Sequence, residues 1–260
     1  MANECLTALV QEAWEAYECA PSSSRVAPAM PILFFGNVDE YLSSHIRALT
    51  VGLNPSWHEF PRNSRFQRFP RCAAILRADS AHYIEGLSTY FEEDPYRRWF
   101  RAYDAALDGA DASYWRGRSS TALHTDIGSP VATHPAWTNL DESDRQALQR
   151  KGGPIWHRLI TELKPHLVLA SLAWEHLSRV EFPPVTDWRQ IHVFETKVDG
   201  SRREPPYPVL ARWYEIAGAP SLFVFGKQRD IPFGEIGNEQ KRDVGERARR
   251  AYEQGPERLM

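Results

Sequence analysis

The 260-residue chain is long enough for one large α/β domain, or for one domain with a small appendage, and its 42% hydrophobic and 25% charged residues are ordinary for a folded globular protein. No stretch reaches the ~20 consecutive apolar residues of a membrane-spanning helix. Cys5, Cys19 and Cys72 are too scattered for a zinc knuckle and too few for a disulfide framework or a four-cysteine iron–sulfur cluster, and the formal charge of −3 excludes a uniformly basic nucleic-acid binder.

The first segment, residues 5–18, reads as a helix with Leu6, Leu9, Val10, Ala13 and Trp14 on one face. Its lack of an early basic cluster argues against a secretory signal, so a cytoplasmic protein is expected. "CAPSSSRVAPAMP" then reads as a loop. "IRALTVGL" (46–53) is the first strand, and residues 61–93 read as one long connection. A helix follows over 94–110, stopped by Gly109, and a second strand over 119–130, on which His124 and Asp126 share a face. "DESDRQALQRKGGPIWHRLITELKP" is helical with an interruption near Gly152–Pro154. Strands are expected at 166–171, 190–198 and 221–230, a short helix at "LAWEHLSRV", a region containing a helix at "YPVLARWYEIAG", and a charged terminal helix.

Strands separated by helical regions describe a mostly parallel sheet covered on both faces, with ligand chemistry at the carboxyl ends of its strands. Three segments place polar residues there: 54–60, 124–135 and 226–234. "TVGLNPSWHEF" (50–60) is the most informative, since Gly52 permits close approach and Pro55 stiffens the turn that presents Asn54. An asparagine amide is no base, yet its oxygen can orient a water while staying neutral beside a developing cation. Asn54 can equally be a turn cap. Next comes "WHEFPRNSRFQRFPR", where Arg62, Arg65, Arg68 and Arg71 face Glu59 alone and aromatics interleave, a pattern suited to phosphate and bases or to a solvated loop. "YWRGRSS", with Trp115, Arg116 and Arg118, is a smaller patch of the same kind, and His58 and His134 are further polar candidates. His124, Asp126 and His134 lack a specific metal-ligand spacing, and there is no glycine-rich dinucleotide fingerprint, phosphate loop or nucleophile elbow; no metal or cofactor is expected.

"VGLNPSWHEF" resembles the first motif of the uracil-DNA glycosylase superfamily, in the branches where a GxNP sequence carries a water-orienting asparagine; Gly52, Asn54 and Pro55 match it. The resemblance implies a three-layer α/β/α sandwich around a short, mostly parallel sheet over residues 46–260; residues 1–45 fall outside it and are expected as an N-terminal helical extension packed on that core. It implies an enzyme that flips a nucleotide out of DNA and hydrolyses its N-glycosidic bond, and no specifically placed lysine demands a lyase step. Members commonly read the base with a polar residue at the end of the second principal strand, which here is Asp126. Near the last strand they carry a histidine motif, whereas this chain has "FGKQRDIPFG", with Lys227 and Arg229 as its cations.

Asparagine both donates and accepts, whereas a carboxylate only accepts, so Asp126 favours the N4 amino group of cytosine over the O4 of uracil. The closest group by this reading is the anti-phage branch that removes glucosylated 5-hydroxymethylcytosine from viral DNA. Asn54 and Asp126 are then the expected catalytic residues, and Gly52, Pro55, Trp57, Phe60 and His124 the base and substrate pocket. Arg62, Arg65, Arg68, Lys227 and Arg229 are the expected DNA contacts, and the protein is expected to be a monomer whose partner is DNA. A uracil or damaged-base repair enzyme, or a non-catalytic nucleic-acid-binding module of the same fold, are the alternatives.

Overall fold

The apolar stripe of the first segment folds as expected: Leu6, Leu9, Val10 and Ala13 are all buried along one helix. The structure, a computed structural model, describes residues 2–73, 79–228 and 230–259. In chain order the helices among these residues are α1 (Ala2–Cys19), α2 (Val38–Ser43), α3 (Ser80–Ser88), α4 (Arg97–Gly109), α5 (Glu142–Leu163) and α6 (Asn238–Gln254). The strands are β1 (Ala48–Gly52), β2 (Ala112–Ser113), β3 (Ser120–Asp126), β4 (Leu167–Ala170), β5 (Arg189–Thr196), β6 (Arg202–Ile216) and β7 (Ala219–Phe225). The fold is a mixed α/β one, and its chain divides into two units: residues 1–38, 52–96 and 124–163, and residues 39–51, 97–123 and 164–260.

In the first unit α1 packs on α5 and α3. Helix α5 runs without a break through Gly152, Gly153 and Pro154, where the sequence predicts an interruption. Pro154 costs the helix one internal hydrogen bond, and packing outweighs that loss. A Cβ on Gly152 would stand 2.5 Å from both Gly128 O and Ser129 Cα, so only glycine lets the helix reach the loop that follows β3. Helix α3 lies inside the stretch read as one long loop, capped by the Asp79 carboxylate, which accepts from His82 N.

Most strand residues fall in the second unit, and the strand order is β2-β3-β1-β4-β7-β6-β5. Strands β1, β4 and β7 pair in parallel, as do β2 and β3, and β6 runs antiparallel to both β7 and β5. The parallel strands are buried along most of their length, as strands covered on both faces must be. Helices α4 and α6 pack together, and α6 lies against β4, β5 and β7. The 15-residue β6 replaces the expected helix at "YPVLARWYEIAG". "LAWEHLSRV" holds a 3-10 helix, Trp174–Arg179. Within this unit Lys241 is buried, its Nζ donating to Ala102 O and Pro232 O (3.1 Å each), and burial lowers its pKa.

Candidate active site

The carboxyl ends of β1 and β3 (Gly52 and residues 124–126) belong to the first unit, which contains the whole candidate site. Main-chain bonds continue the pairing past the strands: Ile127 N donates to Gly52 O (2.9 Å) and Gly128 N to Leu53 O (2.8 Å). Asn54 and Asp126 therefore leave the ends of one hydrogen-bonded segment. Strand alternation puts His124 and Asp126 on one side, and both side chains crowd Gly52. A Cβ there would stand 3.0 Å from His124 Nε2 and would collide with Asp126 Oδ1. His124 Nε2 and Asp126 Oδ1 are 3.6 Å apart, and both side chains are almost fully buried. The backbone of His124 is pinned by exchanging hydrogen bonds with Phe35 (2.9 and 3.1 Å).

Asn54 is held by its nitrogen. Nδ2 donates to Pro55 O (2.9 Å), Thr133 Oγ1 (2.9 Å) and, at longer range, Val131 O (3.3 Å). Two of these acceptors are backbone carbonyls, which cannot donate, so the amide orientation is chemically forced. Both amide hydrogens are consumed by protein, and Oδ1 is the atom left to accept from a water or ligand. Thr133 is fixed in turn by a bridge to Ser56 and another to Arg25. Pro55 supplies a carbonyl to this clamp besides stiffening the turn.

A second buried acid stands in the same unit. Glu59 is 3% exposed, and its Oε2 accepts from Tyr90 Oη at 2.6 Å. Burial pushes its carboxyl up to about 8, and the negative charge of Asp126 adds to that, while the Tyr90 hydrogen bond and the Arg68 charge oppose it. Tyr90 Oη also accepts from Tyr96 N (2.9 Å), and burial first, then the charge of Glu59, raises its own pKa. Sequence reasoning missed Glu59, Tyr90 and Thr133. The available signal for Glu59 was its being the lone acid in an arginine-rich stretch.

Phe60, expected against a base or sugar, is instead a core ring, fully buried and stacked on Phe69 (5.6 Å) with Phe66 at its edge. Trp57 is half-buried, its ring tilted by 30° against His58 (3.9 Å), which stacks on Tyr96 (4.7 Å). Arg68, expected on phosphate, spends its guanidinium on the chain: Nε donates to His58 O (2.9 Å) and Nη1 to Asp94 O (2.5 Å). Arg65 donates to Phe60 O (2.7 Å), and Arg71 pairs with Glu85 (2.8 Å). Arg62 is exposed and joins Arg65, Arg25, Trp57 and His134 around a cavity of about 510 Å³.

The remaining expected contacts lie in the second unit. Lys227 is exposed and pairs with Glu235 (3.3 Å), and Arg229 lies outside the described residues. Trp115 Nε1 donates to Asp104 (2.9 Å), and Arg118 pairs with Asp108. Among the described residues no group of three or more His, Cys, Asp and Glu side chains is placed to hold a metal ion, and no helix is long and apolar enough to cross a membrane. Compared with known proteins, the chain matches no family model and no curated protein.

Proposed function

We propose that the protein is a monofunctional DNA glycosylase that hydrolyses the N-glycosidic bond of a flipped, 5-substituted cytosine. The observation that carries this reading is the Asn54 clamp: an amide whose hydrogens are held by Pro55 O, Thr133 Oγ1 and Val131 O keeps one fixed acceptor, Oδ1, for the nucleophilic water. Water held there attacks C1′ as the bond to N1 breaks. The bonding pair leaves with the base, the water oxygen joins the sugar, and the proton shed by the water ends on the departing base. An orienting group that is already locked needs no reorganisation at the moment of reaction.

Asp126, buried beside His124 and pressed against Gly52, is the proposed base reader, because a carboxylate accepts from the N4 amino group and has nothing to offer O4 of uracil. The bulky substituent of the resembling anti-phage enzymes, a glucosylated 5-hydroxymethyl group, is the proposed mark that spares unmodified DNA. The uracil-DNA glycosylase type of three-layer sandwich belongs to the same proposal; the parallel β1-β4-β7 core and the helices packed on it support it. A non-catalytic binding module is the second reading, favoured by the lack of a histidine in "FGKQRDIPFG".

Freed base is the readout that separates the two. DNA carrying glucosylated 5-hydroxymethylcytosine should lose that base and gain alkali-labile abasic sites, and Asn54→Ala should slow single-turnover release by about a hundredfold or more with folding intact. Near-normal release by the folded variant would remove Asn54 from the chemistry, and binding without release by the wild type would favour the module.

A further inference from the structure

The cavity beside the Asn54 clamp has a chemistry that water activation does not use. Arg25, Arg62 and Arg65 bring three guanidinium groups to its lining, with His134 and the half-buried Trp57. Two of the three arginines are set in place by backbone. Arg25 Nη1 donates to Tyr17 O (2.7 Å) and Glu18 O (3.1 Å), and Arg65 Nη1 to Phe60 O (2.7 Å), which leaves their other N–H groups free of those bonds. Arg25 Nε is buried without a hydrogen-bond partner among the described residues. Carbonyl acceptors neutralise no charge, so the cavity keeps a positive field. Ser23 supplies its link to an acid, donating to Asp144 (2.9 Å).

Trp57 supplies the second half of a recognition surface. Its indole lines the cavity, with His58 tilted against it at 3.9 Å and the ring of His134 edge-on at 5.5 Å, so a planar group in the cavity has an aromatic ring to pack on. Anion and planar ring together describe a nucleotide, and about 510 Å³ lies within the range of pockets that enclose molecules of that size. The cavity is also tied to the clamp by the backbone. Arg25 bridges Thr133, whose side chain holds Asn54, and Ser56 bridges Thr133 from the other side. Ligand atoms in the cavity and a sugar at Asn54 would thus be fixed by one loop.

We infer that this cavity is a subsite for a nucleotide flanking the excised one on the same DNA strand, its phosphate held by Arg62 and Arg65 with Arg25 behind, and its base unstacked onto Trp57. This rests on the proposed glycosylase reading but is tested without excision. The probes are a fluorescein-labelled twelve-residue oligothymidylate and a twelve-residue oligomer of abasic spacers with the same phosphates, titrated by anisotropy at several salt concentrations.

Arg62, exposed and without a hydrogen bond or ion pair among the described residues, can be changed to Gln with no structural bond lost. R62Q should weaken both probes and flatten the salt dependence by about 0.7 in log–log slope, one phosphate's worth on a single strand. Trp57→Leu should weaken the oligothymidylate about fivefold or more and leave the spacer oligomer unchanged, because only the former has a base to stack. Wild-type affinity and slope in R62Q, or equal losses on both probes in W57L, would overturn the subsite. If the subsite passes and Asn54→Ala still releases base, the catalytic reading fails alone; if excision depends on Asn54 while these variants bind normally, the subsite fails alone.

Discussion

Thr133 holds Asn54 across 79 residues of sequence: its Oγ1 accepts from Asn54 Nδ2 at 2.9 Å, and its own backbone is bridged to Ser56 and Arg25. The fully buried threonine thus adds a third acceptor to the amide orientation that the carbonyls of Pro55 and Val131 force. In Thr133→Val the shape is kept and one acceptor is lost, while Pro55 O and Val131 O remain. Stability should fall by about 1 kcal/mol, and single-turnover base release by roughly three- to tenfold. Release that does not change, with the stability loss present, would show that the clamp serves folding alone.

Gly52 and Asp126 cannot both carry a side chain in their present backbone positions. Gly52→Ala would drive a methyl into Asp126 Oδ1 and against His124, so a loss of about 1–3 kcal/mol is expected from overpacking. Combining it with Asp126→Gly should cost less than the sum of the two single changes, since the colliding atoms are gone. Additive losses in urea titrations of the four proteins would place the strain elsewhere.

Glu59 gives the fold a pH signature. Its folded pKa of about 8 exceeds the ordinary 4.5, so between those values the folded state holds a proton that the unfolded chain has released. Stability must then fall as pH rises through that window, by an amount on the order of 5 kcal/mol, and level off above it. Glu59→Gln has no proton to lose and can still accept from Tyr90. Arg68, Asp126 and Tyr90 face the same carboxyl and stay in place. The variant should therefore gain on the wild type from pH 5 to pH 8 in thermal midpoint. Parallel midpoint curves for the two proteins would contradict a raised Glu59.

Arg68 is 16% exposed and bonded to two backbone carbonyls, with Tyr96 beneath its guanidinium at 5.5 Å. Arg68→Ala should cost about 1–3 kcal/mol of stability by orphaning those carbonyls, and the salt slope of DNA binding should hold. A flattened slope with unchanged stability would return Arg68 to the phosphate contacts.

The elements that were legible share one property: their burial is one-sided or complete over a length that suits one structure only. Helix α1 and strand β3 are such cases, and the parity of His124 and Asp126 follows from the two-residue period of β3. Strand β6 was illegible because Leu210 interrupts the alternation of buried Tyr207, Val209, Ala211 and Trp213, which leaves an apolar run that fits a helix equally well. Its prolines, Pro205, Pro206 and Pro208, precede the stretch paired to β7, where a missing N–H costs the ladder nothing on that side. Within the site, Asn54, Gly52 and Asp126 stand out by residue type at strand ends. Thr133 and Tyr90 do not, since their roles exist only through partners distant in sequence. Phe60 and Arg68 misled for the converse reason: an aromatic beside an arginine looks the same whether it faces a ligand or the core.

In the proposed glycosylase the choice of base turns on Asp126, whose carboxyl is nearly fully buried 3.6 Å from His124 Nε2. Buried polar groups must be matched by the base that enters, and a carboxylate matches only donors. Asp126→Asn keeps the shape and adds a donor, so the discriminating hydrogen bond is the intended loss. Excision of the cytosine derivative should fall, and activity on uracil relative to it should rise by about tenfold or more, the effect of one mismatched buried hydrogen bond of roughly 1–3 kcal/mol. The measurement is the ratio of single-turnover rates on strands identical except for that base, with circular dichroism to confirm the fold. A ratio that stays fixed while both rates fall equally would make Asp126 a structural partner of His124 and Gly52. The inference from its carboxylate to a cytosine-derived substrate would then be withdrawn, while the assignment of Asn54 to the water would stand on its own test.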